Sequence, residues 1–231
     1  MNTRFNKLHD RHKGEKAVLV ANGPSLNKMQ LDFLRKENVI ALNKIHLGLD
    51  KFGFYPRYLV AMNELVIAQT AKEIKALNCV KFLSQHGAKG HLEEDALTYI
   101  FDTKNPKERF FKDITKGLHE GWTVTFAALQ IAYYLGYKEV AIIGLDHRFE
   151  YDGQKNELKT LNGADPNHFC DNYFGFGQEW HHPDLQKSEE SFAVAKKVFE
   201  NDGRRILDAT LNGACPIFDK VNYRKYFKLE D

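Results

Sequence analysis

A chain of 231 residues is long enough for one large domain with a well-filled core. Its 33 Lys and Arg against 31 Asp and Glu leave a formal net charge of +2, which argues against nucleic acid as a partner. Three scattered cysteines without a C-x-x-C pair argue against a disulfide framework or a structural zinc site. No apolar run reaches the length of a membrane span, and the polar start MNTRFNKLHDRHKGEK has no apolar segment. These features predict a cytoplasmic protein with at most peripheral contact with the inner face of a membrane.

In chain order, residues 1–15 form a polar N-terminal segment. Short apolar runs at 17–21, 39–42, 58–62, 80–83 and 140–144 have the composition of buried strands. Between them, residues 26–36, 64–76 and 126–136 carry apolar residues at helical spacing, the last ending at Gly136. The alternation predicts an α/β, Rossmann-like parallel sheet with helices on both faces, its nucleotide-binding core spanning 16–146. Residues 147–187 sustain neither period, yet hold Phe149, Tyr151, Phe169, Tyr173, Phe174, Phe176 and Trp180. So aromatic a segment predicts an inserted lid on the acceptor side of a site. Residues 188–231 complete the core: a helix capped by Ser188 and stopped at Gly203, a short strand at 205–207, and a closing helix in VNYRKYFKLED.

Candidate site residues follow from the strand ends, because open parallel sheets bind ligands beyond the carboxyl ends of their strands. The first strand runs into Asn22-Gly23-Pro24-Ser25, the second into Asn43, the third into Asn63 and the fifth predicted strand into Asp146. Each Asn has a bland reading as a helix cap. Together the amides supply donors and acceptors without charge, suited to a base edge, a ribose or an anion. Gly23 permits close backbone approach and Ser25 adds a hydroxyl at a helix start. Thr123 and Thr125 in GWTVTFAAL offer a second anion site at a helix N-terminus, or again ordinary caps. The turn after the first strand matches neither G-x-x-x-x-G-K-[ST] nor G-x-G-x-x-G.

NGPSL after the first strand, Asn43, Asn63 and the stretch TVTFAALQIAYYLGYKEVAIIGLD resemble the bacterial sialyltransferases of glycosyltransferase family 42. They also resemble the related domain shared by flagellin-glycosylating motility factors and archaeal 6-hydroxymethylpterin pyrophosphokinase-like proteins. The resemblance spans roughly residues 16–215, and LGYKE followed by a strand and G-L-D is its most specific piece. It implies a variant GT-A fold and metal-independent transfer of an acidic, sialic acid-like sugar from a CMP-activated donor to a glycan, without a cofactor. By position it places Asn22 and Ser25 on the CMP, Asn43 and Asn63 on the cytidine-phosphate and sugar, and Thr123 near the sugar. A lid histidine, His182 or His181, takes the place of the base. Val124 stands where the family has the serine that meets the sugar carboxylate, and Arg148 where it has the tyrosine that meets the leaving phosphate. The resemblance also suggests a homo-oligomer.

His147, Arg148 and Tyr151 follow the Asp146 strand end, where they would serve the leaving phosphate, and an imidazole suits the base role at neutral pH. His168 is a rival base or a lid fastener. His168, His181, His182 and Asp184 are metal-ligand types, but H-H-P-D is no established ligand spacing, so no metal site is expected. Two other functions are open to the sequence. One is a pyrophosphokinase acting on 6-hydroxymethyl-dihydropterin, with ATP and magnesium held by Asp146 and Asp152. The other is a non-catalytic nucleotide-sugar-binding domain.

Overall fold

The computed structural model describes residues 3–104, 106–150, 153–161, 163–175 and 177–229. Among these residues eight strands form the central sheet: β1 (Lys16–Val20), β2 (Val39–Leu42), β3 (Tyr58–Ala61), β4 (Val80–Ser84), β5 (Thr98–Phe101), β6 (Glu139–Ile143), β9 (Arg205–Asp208) and β10 (Asp219–Lys220). Their spatial order is β10-β9-β6-β1-β2-β3-β4-β5, and every neighbouring pair is parallel. A short antiparallel hairpin, β7 (Leu158–Thr160) with β8 (Glu179–His181), lies within the predicted lid.

The central strands β1, β2, β3 and β6 are short runs of four or five residues, almost all of them buried on both faces. Alternate side chains pack into separate cores. Leu19, Ile40, Val60 and Ile142 face one cluster with Phe126, Leu129, Phe192 and Phe199. Val18, Val20, Ala41, Leu59 and Ile143 face the other, with Ile67 and Ile74. Among the described residues seven α-helices accompany the sheet: α1 (Thr3–Asn6), α2 (Leu49–Phe52), α3 (Glu64–Ala76), α4 (Gln85–Ala88), α5 (Val124–Tyr134), α6 (Leu185–Asn201) and α7 (Tyr223–Tyr226). Helix α5 is buried from Thr125 to Tyr134, which marks it as an interior helix rather than a surface one. No helix among the described residues is long and apolar enough to cross a membrane, and Cys79, Cys170 and Cys215 are free thiols.

Several sequence expectations need correction. The helix expected over 26–36 is two 3-10 turns, Pro24–Lys28 and Asp32–Lys36, with Met29 extended between them. Leu26 and Met29, then Leu31 and Leu34, bury at spacing three, which a 3-10 turn satisfies and an α-helix does not sustain. Ser188 does not cap α6. Asp184 does, its carboxylate accepting from the Lys187 amide at 3.1 Å, and Ser188 lies one turn in with its hydroxyl donating to the Asp184 carbonyl. Strands β5, β7, β8 and β10 lie outside the strands expected from the apolar runs. Within the segment 147–187, Phe169, Tyr173, Phe174 and Trp180 are all buried in the core of the α3 face. Tyr151, Asp152 and Phe176 lie outside the described residues.

Candidate functional site

Strand β1 lies between β2 and β6, so the chain departs in opposite directions on its two sides and opens a crevice at the carboxyl ends of the strands. A cavity of about 360 Å³ occupies that crevice. Asn22, Asn43, Asn63 and Thr123 all line it, as do Thr125, Asp146, Arg148, His168, His181 and His182.

The three amides differ in what they have left to offer. Asn22 donates from Nδ2 to the Leu42 carbonyl at 3.1 Å, which ties the end of β1 to the end of β2. Its Oδ1 is buried with no hydrogen-bond partner among the described residues, and so is Oδ1 of Asn43. An unpaired buried acceptor costs about 1–3 kcal/mol. Two of them on one cavity are the strongest mark of a ligand-binding wall here. Asn43 also holds a left-handed backbone (φ 47°), a conformation Asn tolerates better than most residues. Asn63 is different: its Oδ1 accepts from the Val66 amide at 3.1 Å and caps α3.

On the other side of β1, the close approach of two turns explains Gly23. A Cβ there would lie 1.9 Å from the Asp146 carboxylate and 2.7 Å from the Gly144 carbonyl. The Asp146 carboxylate accepts from both the amide (3.0 Å) and the hydroxyl (2.7 Å) of Ser25. Ser25 is therefore engaged with Asp146 and does not itself line the cavity. Burial pushes the Asp146 carboxyl upward, against the two Ser25 hydrogen bonds. Thr123 caps α5, its hydroxyl oxygen accepting from the Thr125 amide at 3.3 Å, so the positive end of an 11-residue helix opens into the cavity.

The lid contributes the imidazoles. His182 is buried, edge-on to Trp180, with Nδ1 at 3.1 Å from the Gln154 carbonyl. A carbonyl only accepts, so Nδ1 carries the hydrogen. His181 is exposed at the end of β8. His168 lies flat on Tyr173 (3.9 Å between centroids) and meets the buried Asp165 carboxylate through Nδ1 at 2.8 Å. His147, in a left-handed conformation, pairs with Glu189 at 2.9 Å. Arg148 is exposed on the cavity wall. Among the described residues no group of three or more His, Cys, Asp or Glu side chains is placed to hold a metal ion.

Sequence reasoning missed four contributors. Lys44, next to Asn43, is fully buried, and its ammonium donates to the Tyr173 carbonyl (2.9 Å), Gln178 (2.9 Å) and Gln69 (2.7 Å). It fastens the lid to the sheet with all three of its hydrogens. Burial lowers its pKa to about 8. Asn27 assists: its amide donates to the Phe169 carbonyl at 2.8 Å, while the Phe169 amide donates to the Asn22 carbonyl at 2.9 Å. Glu120 and Trp122 also line the cavity. A lysine in a polar-looking turn carries no burial signal, and the Glu-Gly-Trp turn has neither helical nor strand period.

Comparison with known proteins agrees with this architecture. The profile of the family described as 6-hydroxymethylpterin diphosphokinase MptE-like matches residues 1–152. No curated protein matches the chain. Among solved structures, the MAf glycosyltransferase from Magnetospirillum magneticum AMB-1 is similar, with a TM-score of 0.60 at 14% identity. The similarity covers 97% of this chain and 36% of that one, so this chain spans about a third of the length of that protein. At such identity the likeness establishes a shared Rossmann-like, glycosyltransferase-type fold.

Proposed function

Because the chain belongs to the 6-hydroxymethylpterin diphosphokinase MptE-like family and shares the fold of a motility-associated glycosyltransferase, we propose that it is a glycosyltransferase. Its donor in this reading is a CMP-activated acidic sugar and its acceptor a glycan hydroxyl. The observation that carries the reading is the pair of unpartnered amide oxygens, Oδ1 of Asn22 and of Asn43, on a cavity at the sheet's switch point. They suit the amino group of a base or the hydroxyls of a ribose, which present donors without charge.

In the transfer, the bond between the anomeric carbon and the phosphate oxygen breaks, and its electron pair leaves with CMP. The acceptor oxygen bonds to the anomeric carbon and gives its proton to Nε2 of His182. Arg148 offsets the charge that grows on the leaving phosphate, a role a guanidinium fills well. The N-terminus of α5 meets the sugar carboxylate with Thr123 and Thr125. His168, stacked on Tyr173 and tied to Asp165, serves to hold the lid side of the cavity. Lid closure excludes water that would otherwise hydrolyse the donor.

The family's description favours a second reading, pyrophosphoryl transfer from ATP to a pterin alcohol. Such chemistry draws on a divalent ion between phosphates and carboxylates. Of the carboxylates on the cavity, Asp146 is engaged by Ser25, and Asp184 caps α6 and pairs with Lys155; Asp152, the second magnesium ligand of this reading, lies outside the described residues. The test follows CMP release from CMP-N-acetylneuraminic acid by phosphorus NMR, in EDTA. The native protein should release CMP, and His182→Ala should do so roughly 10²–10⁴-fold more slowly while still binding CMP. AMP formed from ATP and 6-hydroxymethyl-dihydropterin, with no CMP release, would select the kinase.

A further inference from the structure

One turn on the cavity wall carries two residues, Glu120 and Trp122, that have no part in the donor chemistry. Residues Glu120–Thr123 close through the Thr123 amide donating to the Glu120 carbonyl at 3.2 Å. Both central residues are left-handed, Gly121 at φ 60° and Trp122 at φ 66°, the pattern of a type I′ turn. Gly121 is required there, since a Cβ would lie 2.1 Å from the Phe126 ring. Trp122 is the anomaly, because bulky side chains avoid this conformation and Asn or Gly normally fills it. Its indole is nevertheless 59% exposed, and of the exposed large apolar side chains among the described residues it alone lines the cavity. A residue held in a strained backbone beside a cavity, with more than half of its surface exposed, gains little from packing to offset the strain.

Glu120 lines the same cavity two residues earlier. The Thr103 hydroxyl donates to its Oε1, and His86 Nε2 stands 3.6 Å from that same oxygen. The carboxylate is thus oriented from one side through one oxygen. Burial raises its pKa. An indole face beside an oriented carboxylate complements a ring with a stackable face and neighbouring O–H or N–H donors.

We propose that the Glu120–Thr123 turn is the acceptor subsite, with Trp122 stacking on a face of the acceptor ring and Glu120 accepting from adjacent donors on it. The inference rests on the reading that this cavity transfers a group to an acceptor, whichever group that is. Two rings carry the required chemistry: a pyranose with vicinal hydroxyls and a flat heterocycle such as a pterin.

The test is calorimetric titration of the protein with lactose in one arm and 6-hydroxymethylpterin in the other, each with and without CMP. Trp122→Asn and Glu120→Gln are compared with the native protein, and CMP affinity and unfolding midpoint are measured for each. One arm should bind, and both variants should weaken it by about tenfold or more with CMP affinity retained. Asn suits a positive φ, so Trp122→Asn should not lower the unfolding midpoint, whereas a purely structural Trp122 would lower it and leave ring affinity unchanged. A native protein that ignores CMP but binds pterin through Trp122 keeps this subsite and overturns the sugar-donor reading. Neither ring binding, equal binding by the variants, or loss of CMP affinity in Trp122→Asn overturns the assignment.

Discussion

In the Asn22 side chain the nitrogen is engaged by Leu42 while the oxygen is buried without a partner, so truncation removes a favourable and an unfavourable contribution together. A buried hydrogen bond contributes about 0.5–1.5 kcal/mol and an orphaned acceptor costs about 1–3 kcal/mol, so the two contributions largely offset. Asn22→Ala should therefore change the unliganded protein's stability by less than about 1 kcal/mol, yet weaken CMP binding by roughly tenfold. Chemical unfolding and calorimetry on the same samples check both halves. A variant that loses stability and keeps affinity makes the residue a structural strut. Asn63 shows why such residues cannot be sorted from the sequence. It ends its strand just as Asn22 and Asn43 do, but a helix starts at the next residue and takes up its oxygen. The strand ends were legible because a parallel sheet buries whole runs of Val, Ile, Leu and Ala. Which oxygen stays unpaired depends on neighbours distant in sequence, as with Ser25, whose hydroxyl meets an Asp146 that lies 121 residues away.

At the scale of elements, the lid is held by a lysine rather than by apolar packing alone. Lys44 binds three neutral acceptors, two of them in the lid, and no carboxylate lies within salt-bridge reach among the described residues. Burial lowers its pKa from the ordinary 10.5 to about 8. The unfolded chain therefore binds more protons between those two values, and stability from this group rises as pH climbs from about 8 to about 10.5. Below that window the folded state carries the full cost of a buried charge. Lys44→Met removes the charge but orphans three acceptors, so it should destabilise the protein by about 1–3 kcal/mol at neutral pH. The deficit relative to the native protein should widen between pH 8 and 10, as read by urea unfolding at each pH. A constant deficit would mean that Lys44 does not titrate there. The aromatic content of 147–187 made an ordered segment legible, while its lysine anchor was not. Buried lysines are rare, and nothing in LNKIH sets this one apart from a solvated residue. Likewise β10 is two exposed charged residues at a sheet edge, and the cap of α6 falls to Asp184, whose carboxylate reaches the Lys187 amide.

At the scale of the whole molecule, the order β10-β9-β6-β1-β2-β3-β4-β5 places the first and sixth strands side by side, and their two turns meet at Gly23 and Asp146. That meeting makes one cavity out of residues from both halves of the chain and from the lid. The central claim is that this cavity reads a cytidine nucleotide without a divalent ion. It is tested by thermal unfolding with CMP, CDP, UDP and ATP, each in EDTA and in magnesium. A ligand at 100 times its dissociation constant stabilises by about 2.7 kcal/mol, which at this size raises the midpoint by roughly 5–10 °C. The account predicts such a rise with CMP in EDTA, little altered by magnesium and reduced in Asn22→Ala. A rise confined to ATP with magnesium, or no rise with CMP at millimolar concentration, would contradict it.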